Sequence, residues 1–265
     1  MNSTQSANST PQLCRLCQKA PPIDNSHIFS RFLWKQSRLA HRDDGGGYKL
    51  IWKDNPRLSA KVEKAGIKEA LLCAACEKAR NKLETYMSGV IYQHRNILRT
   101  KSVGHQVIDG LSYVHVKLFT MYNLFMMAVS EHPFYASANL GEIHTERLRQ
   151  MLLASDPGEA WRYASIWFRL KTADEPLEGI SMGPSPIRWR DSGQIVYRTV
   201  MAGICWMTFC SNHPHPWLRE PLFIGPSERL VLFDAKPSEL PFVANRIDQW
   251  LVSQGHSAIY TNQMV

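Results

Sequence analysis

Cys14-Arg15-Leu16-Cys17 and Cys73-Ala74-Ala75-Cys76 form two Cys-x-x-Cys pairs with 55 residues between them. A two-residue gap lets both thiolates of one turn reach one ion, and a tetrahedral Zn²⁺ takes four such soft ligands at ~2.3 Å. The spacing predicts a Cys₄ site for structural Zn²⁺. Between the pairs lies Asn25-Ser26-His27-Ile28, ten residues after Cys17 at its histidine, a side chain able to exchange a proton near neutral pH. Beyond the second pair, Glu77, Asn81 and Glu84 are spaced four and three apart and share one helical face. Two readings of that face are open. Its oxygens can ligate Mg²⁺ or Mn²⁺, or it is a solvated surface paired with Lys78, Arg80 or Lys82.

The elements that must position these groups are legible in part. From Ala70 the apolar residues Leu72, Ala75, Ala79, Leu83, Tyr86, Met87 and Val90 recur at helical spacing, so a helix begins within the second cysteine pair. Ser30 to Ser37 reads as a short helix, Gly45 to Gly47 as a turn and Tyr48 to Trp52 as a strand. The segment His105 to Ser130 carries apolar residues on nearly every face, as a helix central to a core should; its longest apolar stretch, Val114 to Val129, is interrupted by His115, Lys117 and Asn123, falls short of the ~20 residues that span a bilayer and is expected as a buried core helix. A helix from Gly141 to Ser155 is stopped by Asp156-Pro157-Gly158. Ile195 to Val200, Ile204 to Phe209, Leu222 to Ile224 and Leu230 to Phe233 read as strands of a small antiparallel sheet, closed by a helix over Leu240 to Gln254.

Hydrophobic residues are 44% and charged residues 20% of the 265-residue chain, which excludes disorder throughout and collagen-like or coiled-coil structure. The first residues, MNSTQSANSTPQ, carry neither a positive n-region nor an apolar h-region; residues 1–12 are expected as a disordered tail and the protein as cytoplasmic. With four of six cysteines paired at metal spacing, bound metal is expected in place of disulfides. Cys205 and Cys210 read as buried hydrophobes, and His213-Pro-His215-Pro as an extended loop without a third ligand nearby.

The net charge of +8 is unevenly distributed. Residues 13–105 hold 18 basic and 8 acidic side chains, whereas residues 106–265 hold 13 and 15. A positive field confined to one module is the footprint of a phosphate-backbone binder. Arg31, Lys35, Arg38, Arg42, Lys49 and Lys53 are the expected nucleic-acid contacts. Phe32, Trp34, Tyr48 and Trp52 lie among them, either stacking on bases or packing that segment onto the zinc core.

Cys-x-x-Cys, then Ser-His-Ile, then Leu-Cys-x-x-Cys opening a helix, resembles the zinc-containing HNH endonuclease family over Cys14 to about Glu84. The resemblance implies a ββα-metal core built on a treble clef, with His27 as the general base that activates water and a divalent ion stabilising charge on the phosphate. It departs from the family where Ser26 stands for an aspartate, Lys68 or Glu69 for an asparagine, and Glu77 for the last histidine or asparagine. Glu77 is then the second expected catalytic residue, with Asn81 and Glu84 beside it at the metal.

The expected protein is α+β: a zinc-stapled treble-clef/HNH-like module over 13–105, then an accessory α+β domain over 106–265 formed by a helical segment and a small antiparallel sheet. Two functions follow. One is a metal-dependent nuclease acting on DNA or RNA, which by resemblance implies an effector in bacterial antiviral defence. The other is a catalytically degenerate, zinc-stapled subunit binding nucleic acid or protein, with residues 106–265 as the surface for a protein partner or self-assembly. No membrane partner is expected.

Overall fold

Apolar periodicity settles most elements. In the computed structural model, which describes residues 12–39, 48–51, 60–63, 66–92, 99–172, 176–190, 192–211, 213–214, 222–253 and 257–259, the chain begins with β1 (Ser26–His27), α1 (Arg31–Leu39), β2 (Tyr48–Ile51) and β3 (Ala60–Glu63). It continues through β4 (Lys68–Glu69), α2 (Ala74–Ile91), β5 (Arg99–Ser102), β6 (His105–Ile108), α3 (Tyr113–Val129) and α4 (Gly141–Ala154). It ends with β7 (Ser165–Leu170), β8 (Ile180–Arg188), β9 (Ile195–Met201), β10 (Ile204–Cys210), β11 (Leu230–Ala235) and α5 (Pro241–Ser253). The expected tail falls on residues 1–11 outside the described set, with only Gln12 inside it.

The α+β class holds, but the sheet is larger than expected and mixed. Nine strands run in the order β3-β2-β8-β9-β10-β7-β11-β6-β5, and β1 pairs β4 in a separate two-stranded ladder. The pairs β11–β7 and β2–β8 are parallel, so the expected small antiparallel sheet is corrected. Both edges are built by residues before 110, which pair with strands far along the chain where local periodicity carries no information. Leu222 to Ile224 is not a strand. Phe223 and Ile224 are buried, but the segment runs into the turn at Gly225, whose carbonyl accepts from Glu228 N at 2.9 Å.

Alternation along the strands divides the molecule into two cores. Trp167, Tyr197, Ile204, Trp206 and Leu232 face the helices α2, α3 and α4, while Ile166, Val196, Val200, Cys205, Met207 and Phe209 face α5. Cys205 and Cys210 accordingly lie on opposite faces of β10, both buried. On the α5 side, the Arg198 guanidinium sits 4.3 Å from the centroid of Phe242. Gly183 in β8 has no substitute, since a Cβ there would lie 2.4 Å from the carbonyl oxygen of Phe134.

Helix α3 is the centre of the first core. Ser112 caps it, accepting from His115 N, and nearly every side chain from Val116 to Met127 is buried. Among them is Lys117, 1% exposed, with Nζ donating to Ala160 O at 2.9 Å. Burial, then repulsion from Arg162, brings its ammonium down from 10.5 to about 7. The unfolded lysine keeps its proton up to about 10.5, so unfolding takes up a proton between those pH values and stability rises with pH across that window. Lys117→Met should therefore raise stability most at and below about pH 7, by an amount on the order of 2 kcal/mol, and least near 10.5, with Tm rising in step. Equal Tm gains at both ends of a pH series would refute the assignment. No helix among the described residues is long and apolar enough to cross a membrane.

Candidate metal centre and adjoining cleft

The first knuckle is a tight turn held by its own backbone: Gln18 N donates to Cys14 O at 2.9 Å, Cys14 N to Ala20 O at 2.8 Å, and Gln18 takes a left-handed φ of 57°. Cys17 N points at Cys14 Sγ, 3.5 Å away. The second knuckle is the start of α2. Cys73 occupies the cap position in extended conformation and makes no side-chain capping bond, which leaves its sulfur for the cluster. Arg15 N to Leu71 O and Ile23 N to Leu72 O, both 2.8 Å, stitch the two knuckles together.

The four sulfurs consequently converge. All lie within 4.8 Å of one another, and Cys17 Sγ is 3.7 Å from Cys73 Sγ. A tetrahedron with Zn–S bonds of ~2.3 Å has edges of about 3.8 Å, so the described spacing fits a Zn²⁺-sized cation. Burial opposes ionisation of Cys17, but hydrogen bonds from Lys19 N–H and from the other three cysteines outweigh it and bring the thiol down to about 7. Burial and the neighbouring sulfurs push Cys76 far up. Four thiolates cannot share this volume without a cation, which is the donor chemistry of a structural metal site. Arg149 closes the outside of the knuckle, donating to Leu16 O at 2.9 Å while Glu146 holds its guanidinium through two bonds.

Beside the centre is a cleft of about 1090 Å³, and the sequence-predicted residues meet there. His27, Glu77, Asn81 and Glu84 line it together with Arg31 and Lys35. Arg38 lies on α1 and Lys49 on β2, by backbone position; Arg42 and Lys53 lie outside the described residues. Trp34 is 2% exposed and donates to Phe29 O at 3.0 Å, and Phe32 packs against Tyr92 and Phe119, so these two aromatics take the packing role.

Four residues of this site carry no functional role in the sequence reading. Arg80, 1% exposed, reaches from α2 to β1, where its two terminal nitrogens donate to the carbonyls of His27 and Ile28. Its Nε also lies 3.1 Å from Glu84 Oε1, an ion pair without hydrogen-bond alignment. A signal for it exists: Cys76, Arg80, Leu83, Met87 and Val90 form one buried stripe, and an arginine in an apolar stripe must find internal acceptors. Lys68 faces His27 across the β1–β4 ladder and lines the cleft, as does Asn25. Ser26, fully buried, accepts from Leu72 N at 3.3 Å and hydrogen-bonds Glu77.

Glu77 is half-buried, and its Oε2 has no hydrogen-bond partner among the described residues. Burial pushes its carboxyl above the ordinary range; Arg80 opposes that, Glu84 adds to it and the Ser26 hydrogen bond opposes it. Beyond the four cysteines, no group of three His, Cys, Asp or Glu donor atoms among the described residues converges closely enough to hold an ion. His27, Glu77 and Glu84 share the cleft without closing on one point. Two carboxylates are nonetheless the usual protein share of a Mg²⁺ site that substrate phosphate completes, and the orphaned Glu77 oxygen fits that use.

Compared with protein-family models, curated proteins and solved structures, the chain gives no match.

Proposed function

We propose that the chain is a metal-dependent nuclease of the HNH kind, stapled by a structural Zn²⁺ on Cys14, Cys17, Cys73 and Cys76. One observation carries the reading: a single cleft beside the cysteine cluster brings His27, Glu77, Asn81 and Glu84 together with Arg31, Lys35 and Lys68. A phosphodiester needs a base for the attacking water, carboxylates that tolerate a hard cation, and cationic side chains along the backbone. His27 takes the proton from water. Arg80 holds the consecutive backbone carbonyls of His27 and Ile28 and so fixes where that base stands. Arg31, Lys35 and Lys68 hold the strand by its phosphates. Glu77 and Glu84, with Asn81, would hold Mg²⁺ or Mn²⁺, which when bound supplies electrostatic stabilisation of charge on the phosphate.

The test is strand cleavage of plasmid, single-stranded DNA and RNA by the full chain. The divalent cation is to be omitted in the control, since a chelator would also attack the cysteine cluster. Cleavage with Mg²⁺ or Mn²⁺ and none without is the expected result. The Arg80–Glu84 pair favours a second reading, a zinc-stapled nucleic-acid-binding subunit without turnover, because it commits one of the carboxylates internally. Binding to all three substrates with no cut in either metal would select it.

Affinity for nucleic acid should fall steeply with salt, since each neutralised phosphate releases counterions with a slope near about −0.9 on duplex DNA. The double substitution Arg31→Gln/Lys35→Gln should flatten the logarithmic salt slope by about two. An unchanged slope would remove α1 from the interface.

A further inference from the structure

A second cavity, of about 570 Å³, opens between one face of the nine-stranded sheet and the helices α1 and α2, and no step of the proposed cleavage uses it. That volume is in the range of sites for small molecules and cofactors, and it cannot admit a duplex. Its apolar wall includes Trp167, 3% exposed. Deep in the same wall is Gln106, on β6, only 1% exposed; neither its Nε2 nor its Oε1 has a partner among the described residues. An unpaired buried amide is destabilising, and this one lacks a partner for both its donor and its acceptor among the described residues. Gln106 stands opposite Leu232 on β11, which in turn stands opposite Trp167 on β7, so the amide and the indole lie in one row on one face of the sheet.

The polar lining of the cavity is cationic. Lys35, Arg99 and Arg169 line it against one carboxylate, Glu178. Arg169 is fixed by two bonds to Asp234 Oδ1, at 2.8 and 2.6 Å, and Arg99 donates to Val90 O. Burial and then repulsion from Arg169 hold the Arg99 guanidinium below its ordinary range, so the two cations sit close enough to oppose each other. An anion between them would relieve that repulsion.

We propose that this cavity is a binding site for an adenine nucleotide, with Gln106 reading the base edge, Trp167 packing on the base and Arg99 with Arg169 taking the phosphate. The carboxamide offers one donor and one acceptor side by side, the complement of adenine N7 and N6. An indole supplies the flat apolar surface that a base requires, and paired guanidiniums match phosphate oxygens. The site is separate from the cleft, and its occupancy does not depend on whether the chain cuts nucleic acid. The two are adjacent, however: Lys35 of α1 lines both.

Calorimetric titration of the full chain with 5′-AMP tests it, with adenosine, 5′-CMP and inorganic phosphate as comparisons. AMP should bind with a Kd below about 100 µM, and more tightly than any of the three. Gln106→Leu should weaken AMP by about tenfold or more, yet raise the ligand-free Tm by about 2–4 °C, because the orphaned amide is gone. Arg99→Gln should weaken AMP by a similar factor and leave adenosine unchanged, which keeps the test decisive should the first variant fold poorly. No heat with AMP up to about 1 mM overturns the proposal. So does AMP binding that both substitutions leave intact, or phosphate binding as tightly as AMP.

Discussion

Cys73→Ser should reduce zinc from about one ion per chain to near none and unfold the segment between the knuckles, the largest stability loss expected of any single substitution in this protein. The two-stranded ladder β1–β4 has only two residues in each strand, and an isolated ladder of that length does not hold itself together in water. The cysteine cluster is what closes the long loop around it. Metal binding in structural Zn²⁺ sites is worth on the order of 10 kcal/mol, as much as the whole stability of a typical domain. Elemental analysis, with amide exchange of Ile28 and Leu72 as the local readout, measures both halves. Less than about half a zinc per chain in parent protein purified without chelator would defeat the zinc assignment, and native exchange in Cys73→Ser would defeat its structural role.

His27→Ala should lower cleavage by about 10²- to 10⁴-fold while zinc content and Tm stay near parental. Arg80 binds the backbone carbonyl at position 27, which alanine retains, and the imidazole is not part of the Cys₄ set. Glu77→Gln should also impair cleavage but recover partly at high Mn²⁺, since the amide keeps one ligating oxygen. With the amide turned the other way, its oxygen accepts from the Ser26 hydroxyl as the carboxylate does, so the fold of the variant should persist. A His27→Ala protein that cuts as fast as the parent removes the histidine from the chemistry and turns the reading to the non-catalytic subunit.

Legibility of the sequence follows the range of the interaction. Each Cys-x-x-Cys pair is a local turn, and its spacing alone identifies the four sulfurs that the structure brings within 4.8 Å. The core helix α3 is plain from apolar residues all round, but the expected helical stretch from His105 overruns its start at Tyr113, because His105–Ile108 pairs with β11 as β6. Strand β8 is not plain, because the Gly183-Pro184 pair reads as a turn; the ladder tolerates it through a register shift between Met182 and Ser185. The strand β7 is hidden in the same way, since Ser165 to Leu170 has apolar residues on both faces and lacks clean alternation. At the cleft, helical spacing is enough to find Glu77 and Asn81. Arg80 reads as a surface residue because charge is an unreliable guide to burial when the acceptors are backbone carbonyls distant in sequence.

The sheet order has a consequence for how the chain is made. The hairpins β2–β3 and β5–β6 emerge first from the ribosome, yet they occupy opposite edges, and the five strands between them come from residues 165–235. A hairpin by itself is marginal in water, so both must wait for synthesis of most of the chain before they find a neighbour. Long sequence separation between paired strands slows folding and prolongs exposure of unpaired edges. Lys101 on β5 and the Lys61 and Glu63 of β3 place charges on both outer strands, the composition that discourages edge-to-edge association during that wait.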